Sequence, residues 1–281
     1  MAADLHVHTN ASDGTETPAQ VVLRAREIGL KAIAITDHDT LDGLVPAMQT
    51  GREISLEIIP GVELSTEYKE IEIHILGYLI DIHCREFLER LRQLRMKRKE
   101  RAIKMVQKLQ DLGIPITFEQ VLAVSGKAAV GRPHIARALK EEGFVDSLAE
   151  AFQRYIGRGC PAYVPRFKFL PGEAVQLIIQ AKGIPVFAHP GLAGADEIIP
   201  ELVRAGLKGL EVYYPAHSAQ QVERYLHLCA EYALLPTGGS DYHGPGHKEY
   251  GQLAAATVPD RVVQRLKEAG SVSRYSYFGI Y

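Results

Sequence analysis

A short stretch near the start of the chain, Asp4-Leu5-His6-Val7-His8-Thr9, combines an apolar strand pattern with two histidines. Side chains alternate between the two faces of a β-strand, so His6 and His8 point to one face while Leu5 and Val7 point to the other. Two imidazoles side by side can bind a metal ion, because neutral imidazole is a common metal ligand. The pair alone is explained more simply as part of a hydrogen-bonded core.

Similar apolar runs alternate with helical patterns along most of the chain. Helices are predicted at Thr17–Ile28, Pro171–Lys182 and Ala219–Tyr232. Seven strands are predicted, at Ala2–Val7, Lys31–Thr36, Leu56–Leu64, Ile71–Leu79, Ile184–Ala188, Gly209–Tyr213 and Leu234–Thr237. This alternation is typical of βα units with a parallel sheet, and about seven strands are enough to close a barrel. The pattern therefore predicts an α/β fold.

Residue types that bind metals recur at or near the ends of these strands. Beyond His6 and His8, they are Asp13, Asp37, His38, Glu63, His74, His189, Asp241 and His243. Barrel enzymes build their sites from several strand ends on one face, where residues far apart in sequence meet. The distribution favours a metal site over a hydrogen-bonded core.

The middle of the chain, from about Arg85 to Tyr155, lacks strand patterns and shows helical periodicity. Between Arg85 and Lys108 there are ten basic and three acidic residues, a local charge of +7. One interpretation is a solvated helix face. The other is an inserted helical cap that attracts an anionic substrate. Different residues can serve each purpose, so both interpretations stay open.

The composition excludes several classes of protein. With 281 residues, of which 46% are hydrophobic and 23% charged, the chain matches neither disordered, collagen-like nor membrane proteins. A net charge of −2 gives no general attraction to nucleic acid or an anionic membrane. Three widely spaced cysteines and the lack of a membrane-spanning apolar run predict a cytoplasmic protein with reduced thiols. No feature indicates an obligatory protein partner.

Six motifs in a fixed order resemble those of the PHP (polymerase and histidinol phosphatase) superfamily of metal-dependent phosphoesterases. They are D-L-H-V-H-T, T-D-H-D, G-V-E, H-I-L-G-Y, A-H-P-G and S-D-Y-H, which begin at Asp4, Thr36, Gly61, His74, Ala188 and Ser240. The resemblance implies a distorted seven-stranded (β/α) barrel, formed by residues 1–84 and 165–281, with an all-helical cap inserted at residues 85–164. Gly131-Arg132-Pro133-His134 further resembles a motif of the bacterial group that hydrolyses nucleoside 3′,5′-bisphosphates and trims short RNA.

The resemblance also implies two or three divalent metal ions held by nine side chains. One ion would be held by His6, His8, Glu63 and Asp241, a second by Glu63, His74 and His189, and a third by Asp13, His38 and His243. Nitrogen and oxygen ligands without thiolate suit manganese, which we favour, as well as iron(II) or zinc. Three ions with three carboxylates leave a charge of about +3, which suits a phosphate ester and a hydroxide that attacks the phosphorus.

Other residues are candidates for proton transfer and substrate binding. Asp37 or His217 could protonate the leaving group, although either could instead hydrogen-bond a metal ligand. Arg132 can bind a phosphate through two parallel hydrogen bonds, although its motif also suits a helix start. We predict that the substrate, including its uncleaved phosphate, is bound by Ser125, Lys127, Arg132, His134 and Arg158.

The resemblance thus implies a phosphatase that removes the 3′-phosphate of nucleoside 3′,5′-bisphosphates such as adenosine 3′,5′-bisphosphate. Trimming of short RNA from its 5′ end uses the same chemistry and stays open as a second activity. The alternatives are a phosphatase for histidinol phosphate or another small monoester, an amidohydrolase, and a non-catalytic module that binds phosphate or nucleic acid. The non-catalytic module is disfavoured because all nine positions hold residues that can bind metal.

Overall fold

The computed structural model describes residues 2–126, 128, 130–245 and 251–275, with side chains through residue 270. Within these ranges, eight strands form one sheet. They are β1 Ala2–Val7, β2 Ala32–Ile35, β3 Glu57–Tyr68, β4 Ile71–Tyr78, β5 Ile184–Phe187, β6 Gly209–Tyr213, β7 Leu235–Gly238 and β8 Val258–Pro259. The seven predicted strands are confirmed, and the two-residue β8 is an addition to them.

The sheet has the order β7-β6-β5-β4-β3-β2-β1-β8 and mixed strand directions. The prediction of a parallel sheet is wrong at β4, which pairs antiparallel with both β3 and β5. β3 and β4 are joined by a tight turn at Lys69 and Glu70, whose φ angles of 46° and 66° are left-handed. A turn this short can only join antiparallel strands, because a parallel pair needs a long crossover.

The sheet curls into a nearly closed barrel. The chain that follows β7 runs beside β1, where Val7 and Tyr242 form a parallel bridge. The backbone N–H of His8 donates to the carbonyl of Tyr242 over 2.8 Å. Gly239 permits this approach, since a Cβ at that position would lie 2.3 Å from the backbone nitrogen of His6. The predicted barrel architecture is therefore confirmed.

Helices cover the barrel and fill the middle of the chain. They are α1 Pro18–Glu27, α2 Leu44–Ile54, α3 Arg85–Asp111, α4 Phe118–Ser125, α5 Arg132–Glu141, α6 Leu148–Ala151, α7 Pro171–Gln180, α8 Pro190–Ala193, α9 Ile199–Arg204, α10 Ala219–Glu231 and α11 Asp260–Tyr275. α1 begins as the sequence predicts, because Thr17 caps it reciprocally with Gln20 and Pro18 fills its first turn. Among the described helices, none is both long enough and apolar enough to cross a lipid bilayer.

The long helix α3 belongs to two hydrophobic cores. Its first turns place Phe87, Leu91 and Leu94 in a cluster that also contains residues of β3 to β6, α7 and α9. Its second half places Met105 and Leu109 in a separate cluster built from the helices and loops between residues 102 and 162. α3 therefore fixes the position of this helical region, at residues 102–162, relative to the barrel.

Candidate metal centre

The nine side chains that could ligate metal converge at one end of the barrel. His6 and His8 come from β1 and its end, Glu63 from β3 and His74 from β4. Loops that follow strands supply the others, which are Asp13, His38, His189, Asp241 and His243. All nine are buried or nearly so, and the most exposed, His74, has a side-chain exposure of 15%.

Glu63 lies at the middle of this cluster. Its Oε2 is 3.1 Å from His8 Nε2, 3.1 Å from His38 Nδ1 and 3.3 Å from His6 Nε2. Its Oε1 is 2.8 Å from His74 Nδ1 and 3.1 Å from His189 Nε2. One carboxylate thus faces five imidazoles, which is the arrangement expected of a carboxylate that bridges metal ions.

Four donor atoms form the most compact group, and they belong to His6, His8, Glu63 and Asp241. The two Nε2 atoms are 3.1 Å apart, and each lies between 3.1 and 3.3 Å from one oxygen of Glu63 and one of Asp241. Donor atoms bound to one ion at about 2.0–2.2 Å are separated by distances of this size. The spacing therefore fits a divalent metal ion, and the four donors are those that the resemblance implies for one ion.

Two further groups are close to the predicted sets, with one exchange of residues. Asp13, His38 and His243 are joined by His8 in one group. Glu63 and His74 are grouped with His38, whereas the prediction paired them with His189. His189 still contacts Glu63, and its ring centroid is 5.2 Å from that of His74.

The electrostatics of the cluster favour charged carboxylates. Burial alone would raise the pKa of Glu63, but the imidazoles of His38, His74 and His6 outweigh it and hold that pKa well below its usual range. The pKa values of Asp13 and Asp241 are lowered in the same way, against burial, by neighbouring histidines. These buried charges require cations, which divalent metal ions would supply.

Unpartnered polar atoms and strained backbone support the same assignment. Glu63 Oε2, His74 Nδ1 and His189 Nδ1 are buried and form no hydrogen bond of normal geometry among the described residues, although the first two face other members of the cluster. His189 and Asp241 have left-handed φ angles of 30° and 54°. Such conformations cost about 1–3 kcal/mol per residue and concentrate at functional sites. The donor set, its spacing and its unpartnered atoms therefore fit a metal cluster.

Glu211, on β6, contacts two members of the cluster, His6 and His189. It is not among the residues predicted from the sequence. Its Oε1 is 2.9 Å from His6 Nδ1, and its Oε2 accepts a hydrogen bond of 2.7 Å from the backbone N–H of His189. A carboxylate that binds the second nitrogen of an imidazole fixes the orientation of the ring. An acidic residue inside the apolar run Gly209–Tyr213 was the available sequence signal.

Asp37 stabilises the loop that follows β1 through hydrogen bonds. Its carboxylate accepts hydrogen bonds from the backbone N–H of Thr9 at 2.8 Å, the hydroxyl of Thr9 at 2.8 Å and the hydroxyl of Ser12 at 2.7 Å. These bonds hold the backbone between His8 and Asp13. The position favours the alternative in which Asp37 orients the ligands over its role as a proton donor.

His217 lies outside the cluster, with both ring nitrogens bound to backbone groups. Nδ1 is 2.9 Å from the carbonyl of Val212, and Nε2 accepts a hydrogen bond of 3.1 Å from the N–H of Gly191. Nδ1 therefore carries the proton and Nε2 has none to donate. This arrangement disagrees with the predicted role of His217 as general acid and indicates a role in holding the start of α8.

A cavity of about 240 Å³ lies between the cluster and the helical region. Asp13, His38 and His74 line one side of it. Four arginines line it as well, namely Arg98, Arg101, Arg132 and Arg166. Burial, together with repulsion from Arg166 and Arg132, lowers the pKa of Arg101 to about 10. We call this space the arginine cavity. It combines guanidinium groups with the candidate metal ligands.

The other predicted substrate residues lie elsewhere or cannot be placed. Ser125 and His134 line a separate groove beside residues 10–15. Arg158 is half exposed and pairs with Glu70 at the turn between β3 and β4, outside the lining of the arginine cavity. Lys127 lies outside the described residues. Arg132 is therefore the one residue of the predicted set that lines the arginine cavity among those described.

His134 lies in the first turn of α5 and caps its start. It is buried, and its Nδ1 accepts a hydrogen bond of 3.0 Å from the backbone N–H of Gly131. Burial lowers the pKa of His134 from 6.5 to about 4. Its imidazole therefore stays neutral in the folded protein at a pH where the unfolded chain would protonate it.

We expect His134→Gln to flatten the dependence of stability on pH. The unfolded chain binds this proton below pH 6.5 and the folded protein only below about pH 4, so stability falls between those values by about 3 kcal/mol. Glutamine can cap Gly131 in the same way but does not titrate in this range. Urea unfolding of the metal-free protein from pH 7 to pH 4 measures the difference. Parallel profiles for the two proteins would contradict it.

Several known proteins are similar to this chain over most of its length. A family model described as the PHP domain matches residues 4–158. The chain is 34% identical over 249 residues to the 5′-3′ exoribonuclease Rnm of Escherichia coli (strain K12), across 86% of this chain and 85% of the relative. It is 31% identical over 249 residues to the 3′,5′-nucleoside bisphosphate phosphatase of Chromobacterium violaceum, across 86% and 87%.

A solved structure shows the same fold across nearly the whole chain. It belongs to a protein from Bifidobacterium adolescentis assigned as a metal-dependent phosphoesterase. The two superpose with a TM-score of 0.89 at 33% identity, and the match covers 95% of this chain and 96% of the other. The resemblance found in the six motifs is confirmed. The chain belongs to the PHP domain family of metal-dependent phosphoesterases.

Proposed function

We propose that this protein removes the 3′-phosphate of nucleoside 3′,5′-bisphosphates, such as adenosine 3′,5′-bisphosphate. The observation that carries the proposal is that the arginine cavity adjoins the candidate metal ligands. A substrate with two phosphates could place the reacting one against Asp13, His38 and His74, and the other against Arg132 and Arg166. Guanidinium groups suit the retained phosphate because they can bind it through paired hydrogen bonds.

The metal ions would be held by the nine side chains, with Glu63 shared between them. Manganese is the favoured ion, because the donors are nitrogen and oxygen and none of the three cysteines belongs to the described groups. The ions would bind phosphoryl oxygens and activate water for attack on phosphorus. Tyr214 donates a hydrogen bond of 3.0 Å to Asp241 Oδ2. This bond leaves Oδ1, the atom nearest to His6 and His8, available as a ligand.

The helical region and the whole of α3 are part of this proposal. Residues 85–164 would act as a cap, because α3 supplies Arg98 and Arg101 and α5 supplies Arg132 to the arginine cavity. Both interpretations of the basic residues of α3 would then apply to different side chains. Arg92 is exposed and belongs to a solvated face, whereas Arg98 is nearly buried in the cavity, where it would attract an anionic substrate. A cytoplasmic location stays a prediction, which the three unpaired cysteines support.

Removal of nucleotides from the 5′ end of short RNA is the second candidate. It is favoured by the similarity to the exoribonuclease Rnm, which is as close as the similarity to the bisphosphate phosphatase. The bond that is cleaved would again be the one between the 3′ oxygen and phosphorus, but that phosphorus would carry a further nucleotide, which departs with the phosphate as its new 5′ end. The arginine cavity could hold the 5′-phosphate in either case.

Phosphate release by the manganese-loaded protein tests the proposal. The panel contains adenosine 3′,5′-bisphosphate, AMP, histidinol phosphate and a short 5′-phosphorylated RNA, with nucleotide products separated by chromatography. We expect kcat/KM for the bisphosphate to exceed that for AMP or histidinol phosphate by at least about 10²-fold, because each of those lacks a second phosphate. A kcat/KM for histidinol phosphate equal to that for the bisphosphate would contradict the proposal. Faster nucleotide release from RNA would favour the second candidate.

A further inference from the structure

Glu72 lies in the arginine cavity but is not one of the nine candidate ligands. Its Oε2 contacts Nη2 of Arg132, and its Oε1 contacts Nη2 of Arg166. The same Oε1 is 3.1 Å from Nε2 of His74, whose Nδ1 faces Glu63. One carboxylate therefore joins two guanidinium groups to a candidate metal ligand.

The two arginines come from segments far apart in the chain, and both are largely buried. Arg132 begins α5 and has a side-chain exposure of 18%, and Arg166 precedes α7 with an exposure of 11%. Carboxylate and phosphate oxygens accept the same hydrogen bonds from guanidinium groups. Glu72 thus holds the position that an oxygen of a bound phosphate would take between these arginines.

The other charges that line the cavity do not neutralise Arg132 and Arg166, so Glu72 and a bound phosphate would compete for these two arginines. Arg98 is paired with Asp39 at 2.8 Å, and Arg101 donates to the carbonyl of Val164 at 2.8 Å. Among the described contacts, Glu72 is the carboxylate that compensates Arg132 and Arg166. A phosphate that binds to these two arginines must share them with Glu72 or displace it.

We propose that Glu72 is an internal competitor for phosphate, which positions Arg132 and Arg166 in the empty cavity and sets how tightly the retained phosphate binds. The idea rests on the proposed function only for which molecule carries that phosphate. Glu72 is a positioning residue, because it acts on the substrate through the arginines. Its charge weakens phosphate binding and thereby speeds release of the phosphate-bearing product.

The test measures phosphate binding without turnover. Wild type, Glu72→Gln and Glu70→Gln are stripped of metal, and AMP and inorganic phosphate are titrated in by calorimetry. Glutamine keeps the shape of Glu72 and removes its charge, so we expect both ligands to bind about tenfold more tightly to Glu72→Gln, the change expected when a charged competitor is lost. Glu70 is the matched control, because it belongs to the same hairpin and pairs with Arg158 outside the cavity.

Unchanged or weaker binding of AMP to Glu72→Gln would overturn the inference. Melting curves establish whether the variant is folded. If it is not, Glu72→Asp provides the second test, because a shorter carboxylate reaches the arginines less well and should also tighten AMP binding. Binding that tightens equally in Glu70→Gln would overturn the inference too, since it would reflect net charge alone. If the substrate panel shows no bisphosphate hydrolysis, the ratio of the AMP dissociation constants of wild type and Glu72→Gln can still be measured. The two proposals can therefore fail separately.

Discussion

Replacement of Glu63 by glutamine should lower phosphate release by about 10³-fold or more, since charge stabilisation by the metal ions is the main chemistry available. Glu63 faces five imidazoles, with both carboxylate oxygens directed into the cluster. An amide offers one weak oxygen ligand and no charge, so at least one ion should be lost. Turnover, metal content by elemental analysis and thermal unfolding should be measured on the same preparation.

The control for Glu63 is Glu57→Gln, on the same strand. Glu57 begins β3 on the outside of the barrel, where it pairs with Lys267 at 2.7 Å. This variant should keep the wild-type rate and metal content. A Glu63→Gln protein that retains both would show that Glu63 does not bridge metal ions.

Arg132→Ala should lower kcat/KM for adenosine 3′,5′-bisphosphate by about 10²-fold, the cost of a lost charge-assisted hydrogen bond to phosphate. Hydrolysis of a simple monoester such as p-nitrophenyl phosphate should change far less, because that substrate has no second phosphate. The measured quantity is the ratio of the two kcat/KM values.

Arg158→Ala is the matched control for Arg132. Both are arginines that pair with a glutamate of β4 or its turn, but Arg158 is half exposed and its partner is Glu70. Its ratio should equal that of the wild type. An Arg132→Ala protein that keeps the wild-type preference for the bisphosphate would contradict the role assigned to the arginine cavity.

The convergence of the candidate metal ligands could be predicted because strand geometry is local and periodic. His6 and His8 share a face, and the ends of parallel strands meet at one edge, so ordered motifs sufficed to bring distant ligands together. The direction of β4 could not be predicted in this way. Lys69 and Glu70 adopt left-handed conformations without glycine, and the sequence therefore carries no turn signal there.

The residues that line the arginine cavity were predicted less well, because they depend on how helices pack on the barrel. Arg98 and Arg101 look like members of a solvated basic face until the position of α3 places them in the arginine cavity. Arg158 shows the opposite case, because it was predicted to bind the substrate but its side chain pairs with Glu70 outside the lining of the arginine cavity. The hydrogen bonds that occupy His217 also come from backbone contacts that no spacing rule reveals.

Anomalous diffraction at the manganese edge, from crystals of the active protein, tests the central claim most directly. We expect two or three peaks at one end of the barrel, with one peak among His6, His8, Glu63 and Asp241 and Glu63 shared with a second. Active crystals without a transition-metal peak at these side chains would contradict the account.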